Sequence, residues 1–131
     1  CSREVFKGVL GDRARGVFQG KILVHPDAQK TDGYQMNRAM LLSDQAEINS
    51  KPELEIYADD VRCSHGATVG ELEEEHIFYL RARGIGRERA RRMLIGAYIS
   101  DAIDEIKNTG IRSSIQGVAE NWLKHNLYEK K

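Results

Sequence analysis

The chain has 131 residues, enough for one domain or for a modest core with an appendage, and its 40% hydrophobic and 31% charged content is ordinary for a globular protein. Its 20 basic and 20 acidic side chains cancel, and they divide evenly: residues 1–70 hold 9 basic and 10 acidic, residues 71–131 hold 11 and 10. This excludes a basic nucleic-acid or membrane-surface footprint, and no apolar run approaches the roughly 20 residues of a membrane span.

Two cysteines, one of them Cys1, give no disulfide framework and favour a reducing compartment. No signal peptide is recognisable, and a start at Cys1 rather than Met suggests a natural start upstream.

Residues 1–69 read as strands and turns. Val5-Phe6-Lys7-Gly8 recurs as Val17-Phe18-Gln19-Gly20, and each opens an extended run, the second continuing through Lys21-Ile22-Leu23-Val24. Pro26-Asp27 and Thr31-Asp32-Gly33 carry turn chemistry. Tyr34 to Ser43 and Leu54 to Tyr57 are further runs; Asp59-Asp60 breaks the second, and Val61 to His65 resumes it. About five or six short strands without intervening helices suit a sandwich, a barrel or a β-helix. Asp32-Gly33 is the only Asp-Gly in the chain, whereas a hairpin sandwich favours several such turns. Connections of uneven length are tolerated by stacked coils.

Residues 70–129 read as helical. Thr68-Val69-Gly70-Glu71 has the form of a capping box, which predicts a helix from about Glu71 to Arg83 with Gly84-Ile85-Gly86 as its stop. A second helix is expected over Arg87 to Lys107. Its two apolar rows, Leu94-Tyr98-Ala102-Ile106 and Ile95-Ile99-Ile103, make a stripe wider than one neighbour needs. Asn108-Thr109-Gly110 is expected to stop it, and a third helix to run from Ile111 to Tyr128 with Trp122 in the core. Strands first and helices last argue against a doubly wound α/β sheet, which needs alternation.

Two features carry chemistry. Cys63 and His65 lie two apart in an extended run, so their side chains share a face, with Cβ atoms roughly 7 Å apart. They make half a metal site, or a thiol with a histidine at poor reach for nucleophilic catalysis. No Cys-x-x-Cys or His-x-x-x-His pair accompanies them, and two thiols cannot complete a four-cysteine cluster. Metal or cluster would therefore be transient or shared with another subunit. The second feature is Arg81, Arg83, Arg87, Arg89, Arg91 and Arg92, some of them in a first helical turn, where the helix dipole disfavours cations. They form either a solvated face with acidic neighbours such as Glu88 or a docking patch for an acidic surface. His25, His76 and His125 read as structural. Gly84-Ile85-Gly86 lacks the rest of a dinucleotide fingerprint, and no Walker motif is present, so any ATP would be bound by another chain.

The run Leu54-Glu55-Ile56-Tyr57-Ala58-Asp59-Asp60-Val61-Arg62-Cys63-Ser64-His65-Gly66-Ala67-Thr68 closely resembles the SufB/SufD family of the SUF iron–sulfur cluster assembly machinery. Gly16 to Gly20, Asn37 to Ser43 and Glu75 to Ile85 extend the resemblance over almost the whole chain, and Cys-Ser-His-Gly-Ala-Thr is the SufD-like form. The resemblance implies the last coils of a right-handed parallel β-helix (residues 1–69) followed by a C-terminal helical domain (residues 70–131). It implies a non-enzymatic scaffold that pairs with itself or with a SufB-like subunit and docks a SufC-like ABC-type ATPase. His65, with Cys63 beside it, would face the partner at a nascent cluster, and no cofactor would be tightly bound. The SufB cluster cysteine falls near Ala46 and Glu47, where this chain has none, so autonomous cluster assembly is not expected. The Arg81, Arg83, Arg87, Arg89 and Tyr98 region lies where ATPase docking is expected. The compartment implied is the cytoplasm, or the plastid of a photosynthetic eukaryote. The rivals are a plain β-helix interaction module and a β-helix enzyme acting on polysaccharide. The enzyme would need clustered carboxylates along one face, and Asp59-Asp60 is the only adjacent acidic pair in the strand region.

Overall fold

A computed structural model of the chain describes residues 1–128, with the side chains of 127 and 128 outside the description. Five strands precede three helices: β1 (Ser2–Leu10), β2 (Arg15–Val24), β3 (Asp32–Leu41), β4 (Glu47–Ile56), β5 (Arg62–Glu71), α1 (Glu74–Arg81), α2 (Arg87–Ile103) and α3 (Thr109–Tyr128). They form two compact units, Cys1–Glu71 and Leu72–Lys131.

In the first unit consecutive strands alternate between two sheets. β1, β3 and β5 form one sheet in that order, and β2 and β4 form the other. Every pairing is parallel and in continuous register, as with Glu4 beside Gln35, 31 residues on. Neither sheet closes, so the hairpin sandwich and the barrel are excluded.

The turns stack as the strands do. The Ala14 carbonyl accepts from the Glu47 N–H at 3.0 Å, and Ser43 Oγ donates to the Asp12 carbonyl. At the opposite end the Lys30 N–H reaches the Asp60 carbonyl at 2.6 Å, and the Arg62 N–H reaches the Thr31 carbonyl at 2.8 Å. Backbone groups that would be orphaned at a strand end are thereby paired.

Between the sheets side chains meet in levels. The repeated Val-Phe dipeptide puts Phe6 against Phe18, with ring centroids 4.9 Å apart. In the same register as that pair Asn37 Nδ2 donates to Ser50 Oγ at 2.9 Å, and in the neighbouring one Gln35 Nε2 donates to Glu4 Oε2 at 3.0 Å. Gln35 and Asn37 are both buried, alongside Val24, Ala39, Ala46 and Ala58. Where Gln35 crosses the layer the facing residue is Gly20, and a Cβ there would stand 2.5 to 2.8 Å from the amide. On the outer surface Lys21 pairs with Glu55 at 2.5 Å and Lys51 with Glu53 at 2.7 Å. The hydrogen bond and charge of Glu55 raise the Lys21 pKa, and those of Lys51 lower that of Glu53.

Three local expectations are corrected here. Asp32-Gly33 opens β3 instead of making a turn. Thr68-Val69-Gly70-Glu71 ends β5 instead of capping a helix, and α1 starts at Glu74 behind Glu73, which makes no side-chain capping bond. Asn108 does follow the end of α2, but it belongs to the next helix: its Oδ1 accepts from the Ile111 N–H at 3.1 Å, as an N-cap does.

In the second unit α2 packs against both α1 and α3. The wide stripe therefore serves two neighbours. Ala90, Ile95 and Ile103 are buried on α2, with Ile77 on α1 and Leu123 on α3. Trp122 is 46% exposed, so the core residue of that turn is Leu123 and not Trp122 as expected. No described helix is long and apolar enough to cross a membrane.

Candidate functional site

β5 is an edge strand, bonded to β3 on one side only. Its register with β3 decides which way its side chains point, because parallel partners share a face. Gly33, Gln35 and Asn37 are buried between the sheets, so their partners Cys63, His65 and Ala67 stand on the same inner face. The alternation expected for Cys63 and His65 therefore holds.

The two differ in environment. Cys63 is half-buried and free, and its Sγ lies where a Cβ on Gly33 would be 3.3 Å away. Ile22 of the facing sheet lines the same spot. Gly33 thus makes room for the thiol, which explains a glycine at a place that reads as a turn. His65 is exposed, as is Ala67, and Val69 on the same face is 52% exposed. This inner face is open because the two-stranded sheet opposite supplies no strand level with β5.

Among the described residues no group of three or more His, Cys, Asp or Glu side chains is placed to hold a metal ion. An imidazole on an open face can supply one ligand to a metal whose other ligands come from elsewhere. Ala46 is buried in the turn before β4, and Glu47 pairs with Arg15 at 3.5 Å, so neither adds a soft donor.

The arginine run is broken into separate roles. Arg83 lies 3.5 Å over the Tyr79 ring and donates to the Tyr79 carbonyl at 3.2 Å. Arg87, at the disfavoured helix start, is neutralised by Glu74 at 2.5 Å rather than by its neighbour Glu88. Arg81 is exposed at the end of α1. Arg89 and Arg92 line a groove of about 480 Å³ between α2 and α3, with Met93, Gly96 and Leu123 in its wall. Tyr98 is half-buried on α2. His76 is exposed and 3.4 Å from Glu73, and His125 Nδ1 lies 2.8 Å from the Asn121 carbonyl. His25 is exposed just past β2.

Sequence reasoning did not single out Gln35 and Asn37. Their signal is faint: two amides at alternate positions, on a strand whose other alternate positions are Gly33 and Ala39.

Residues 1–98 match the family described as SUF system FeS cluster assembly, SufBD core domain. The iron-sulfur cluster assembly protein SufD of Escherichia coli (strain K12) is 45% identical over 114 residues, which are 87% of this chain and 27% of that protein. The chloroplastic protein ABCI7 of Arabidopsis thaliana is 44% identical over 124 residues, 94% of this chain and 26% of that protein. A SufBD family protein of Synechocystis sp. is 42% identical over 116 residues, 88% of this chain and 26% of that protein. The chain thus spans about a quarter of the length of these relatives. With a family match over residues 1–98, which include the whole Cys63–His65 strand, the chain belongs to the SufB/SufD family of the SUF iron–sulfur cluster assembly system.

Proposed function

We propose that this chain is a non-enzymatic scaffold part of an iron–sulfur cluster assembly complex. Its first unit forms the end of a right-handed parallel β-helix and pairs through β5 with a second copy or with a SufB-like subunit. Its helical unit docks a SufC-like ABC-type ATPase, with Arg81, Arg83, Arg87, Arg89 and Tyr98 in or near the contact. Iron or a nascent cluster is cargo, held transiently between subunits by His65 and by donors of the partner, while Cys63 packs behind it. No cofactor is tightly bound. The complex works in the cytoplasm, or in the plastid of a photosynthetic eukaryote, in keeping with the bacterial and chloroplastic relatives.

One observation carries this reading. The only exposed imidazole on a described strand stands on an edge strand whose inner face lies open, where a second subunit can both pair with the edge and cover the ring. The test is co-purification with SufB-like and SufC-like subunits, followed by anaerobic cluster reconstitution. His65→Ala is expected to leave the complex intact and to cut cluster loading sharply, and full loading would sink the ligand role. Charge reversal at Arg87 and Arg89 is expected to release the ATPase; unchanged ATPase retention would remove that patch from the interface.

A further inference from the structure

The level of the β unit that holds His65 contains an unbalanced hydrogen-bond account. Glu4, Gln35 and His65 occupy one register across β1, β3 and β5. Gln35 is 2% exposed, and its Nε2 donates to Glu4 Oε2 at 3.0 Å. Its Oε1 is buried and has no hydrogen-bond partner among the described residues. A buried carbonyl oxygen without a donor is costly, and such orphans are rare.

Geometry narrows the donors. The two ends of a planar amide diverge, so an amide whose nitrogen faces Glu4 on β1 turns its oxygen away from β1. An ionised Glu4 carboxylate can only accept, which fixes that orientation against a flip. The other flanking strand is β5, and the residue there is His65. The facing sheet offers nothing at this level, because Gly20 pairs with Pro52: the first has no side chain and the second no donor.

We propose that Gln35 is a positioning residue for His65. One ring N–H of His65 donates to Gln35 Oε1, with Glu4 holding the amide in place. The neutral ring is then locked in a single tautomer, and the other ring nitrogen presents its lone pair to the open side of β5. A metal-ligating histidine needs such a partner to fix its tautomer and ring orientation. This inference rests on the ligand role given to His65 above, but its readout does not.

The test uses the full chain with isotope-labelled histidine. The tautomer of the His65 ring is read from its two nitrogen shifts by NMR, at a pH where the ring is neutral. The wild type is expected to show one dominant tautomer; two tautomers in the ratio of free histidine would overturn the proposal without any variant. Gln35→Leu, of similar volume, is expected to lower the tautomer ratio about tenfold, the weight of one good hydrogen bond. Should Gln35→Leu fail to fold, Glu4→Gln serves instead: it frees the amide to flip and should also lower the ratio. The swap of Glu4→Gln with Gln35→Glu keeps an acceptor facing His65 and should restore one tautomer, which a merely structural role for Gln35 would not require. An unmoved tautomer refutes the positioning role whatever His65→Ala does to cluster assembly. Full assembly by His65→Ala refutes the ligand role whatever the tautomer shows.

Discussion

Gly20→Ala tests whether the two sheets really close on Gln35. The backbone of Gly20 is not in the left-handed region, so alanine is allowed there, and on entropy alone it would stabilise by about 0.4–1 kcal/mol. Its Cβ, however, would lie 2.5 Å from Gln35 Oε1, 2.7 Å from Nε2 and 2.8 Å from Cδ. The amide ends a flexible side chain, but it is 2% exposed and tied to Glu4, so it has nowhere free to go. Overpacking of this kind costs about 1–3 kcal/mol, and the lost amide–carboxylate bond adds about 0.5–1.5 kcal/mol. The net expectation is a loss of about 2 kcal/mol in the β unit. Most of that loss should vanish in a Gln35→Ala background, leaving a coupling of about 1–2 kcal/mol. Hydrogen exchange of β2 and β3 amides is the right probe, because Trp122 lies on α3 and its fluorescence reports the other unit. Equal protection in Gly20→Ala and wild type, or an equal cost in both backgrounds, would refute the packing argument.

Ile95 is fully buried on the helix that packs against both others, so Ile95→Ala should cost the helical unit about 2–5 kcal/mol, read from Trp122 fluorescence in urea. Gly84 has φ +80°, and Gly84→Ala should cost about 1–2 kcal/mol of the same stability. Lys51 holds the Glu53 carboxyl below its ordinary range, so the folded state keeps it ionised longer than the unfolded chain does. The resulting stability is present above the unfolded pKa and is lost as pH falls through the folded one. Glu53→Gln should therefore flatten the acid side of a melting-temperature profile, and an unchanged slope would count against this ion pair.

The order of strands and helices was legible because strand runs and helical stripes differ in period, and because the turns at Pro26-Asp27 and Gly84 use residues suited to them. What stayed hidden has a physical reason. In these parallel sheets each residue meets a partner far along the chain, as Glu4 meets Gln35 31 residues on, and local pattern carries no trace of that spacing. Asp32-Gly33 reads as a turn because Gly usually marks one, yet this glycine is set by the thiol of Cys63 on the next strand. Thr68 to Glu71 matches a capping box letter by letter, but strand pairing with Arg38 to Leu41 outweighs that local preference. The Cys63–His65 face was legible from alternation alone. That His65 is open and Cys63 covered was not, since it depends on which sheet runs out of strands first.

The parallel register also sets an entropic cost on forming the β unit. Bringing Glu4 to Gln35 means closing a loop of 31 residues, an entropic cost of about 3 kcal/mol beyond the fixed cost of any loop, before a single ladder bond repays it. A helix such as α3 needs only contacts within one turn. Pairings of such sequence separation form slowly relative to the local contacts of a helix. His65 meets Gln35 across a loop of the same kind, so its site is complete only once β5 has paired with β3.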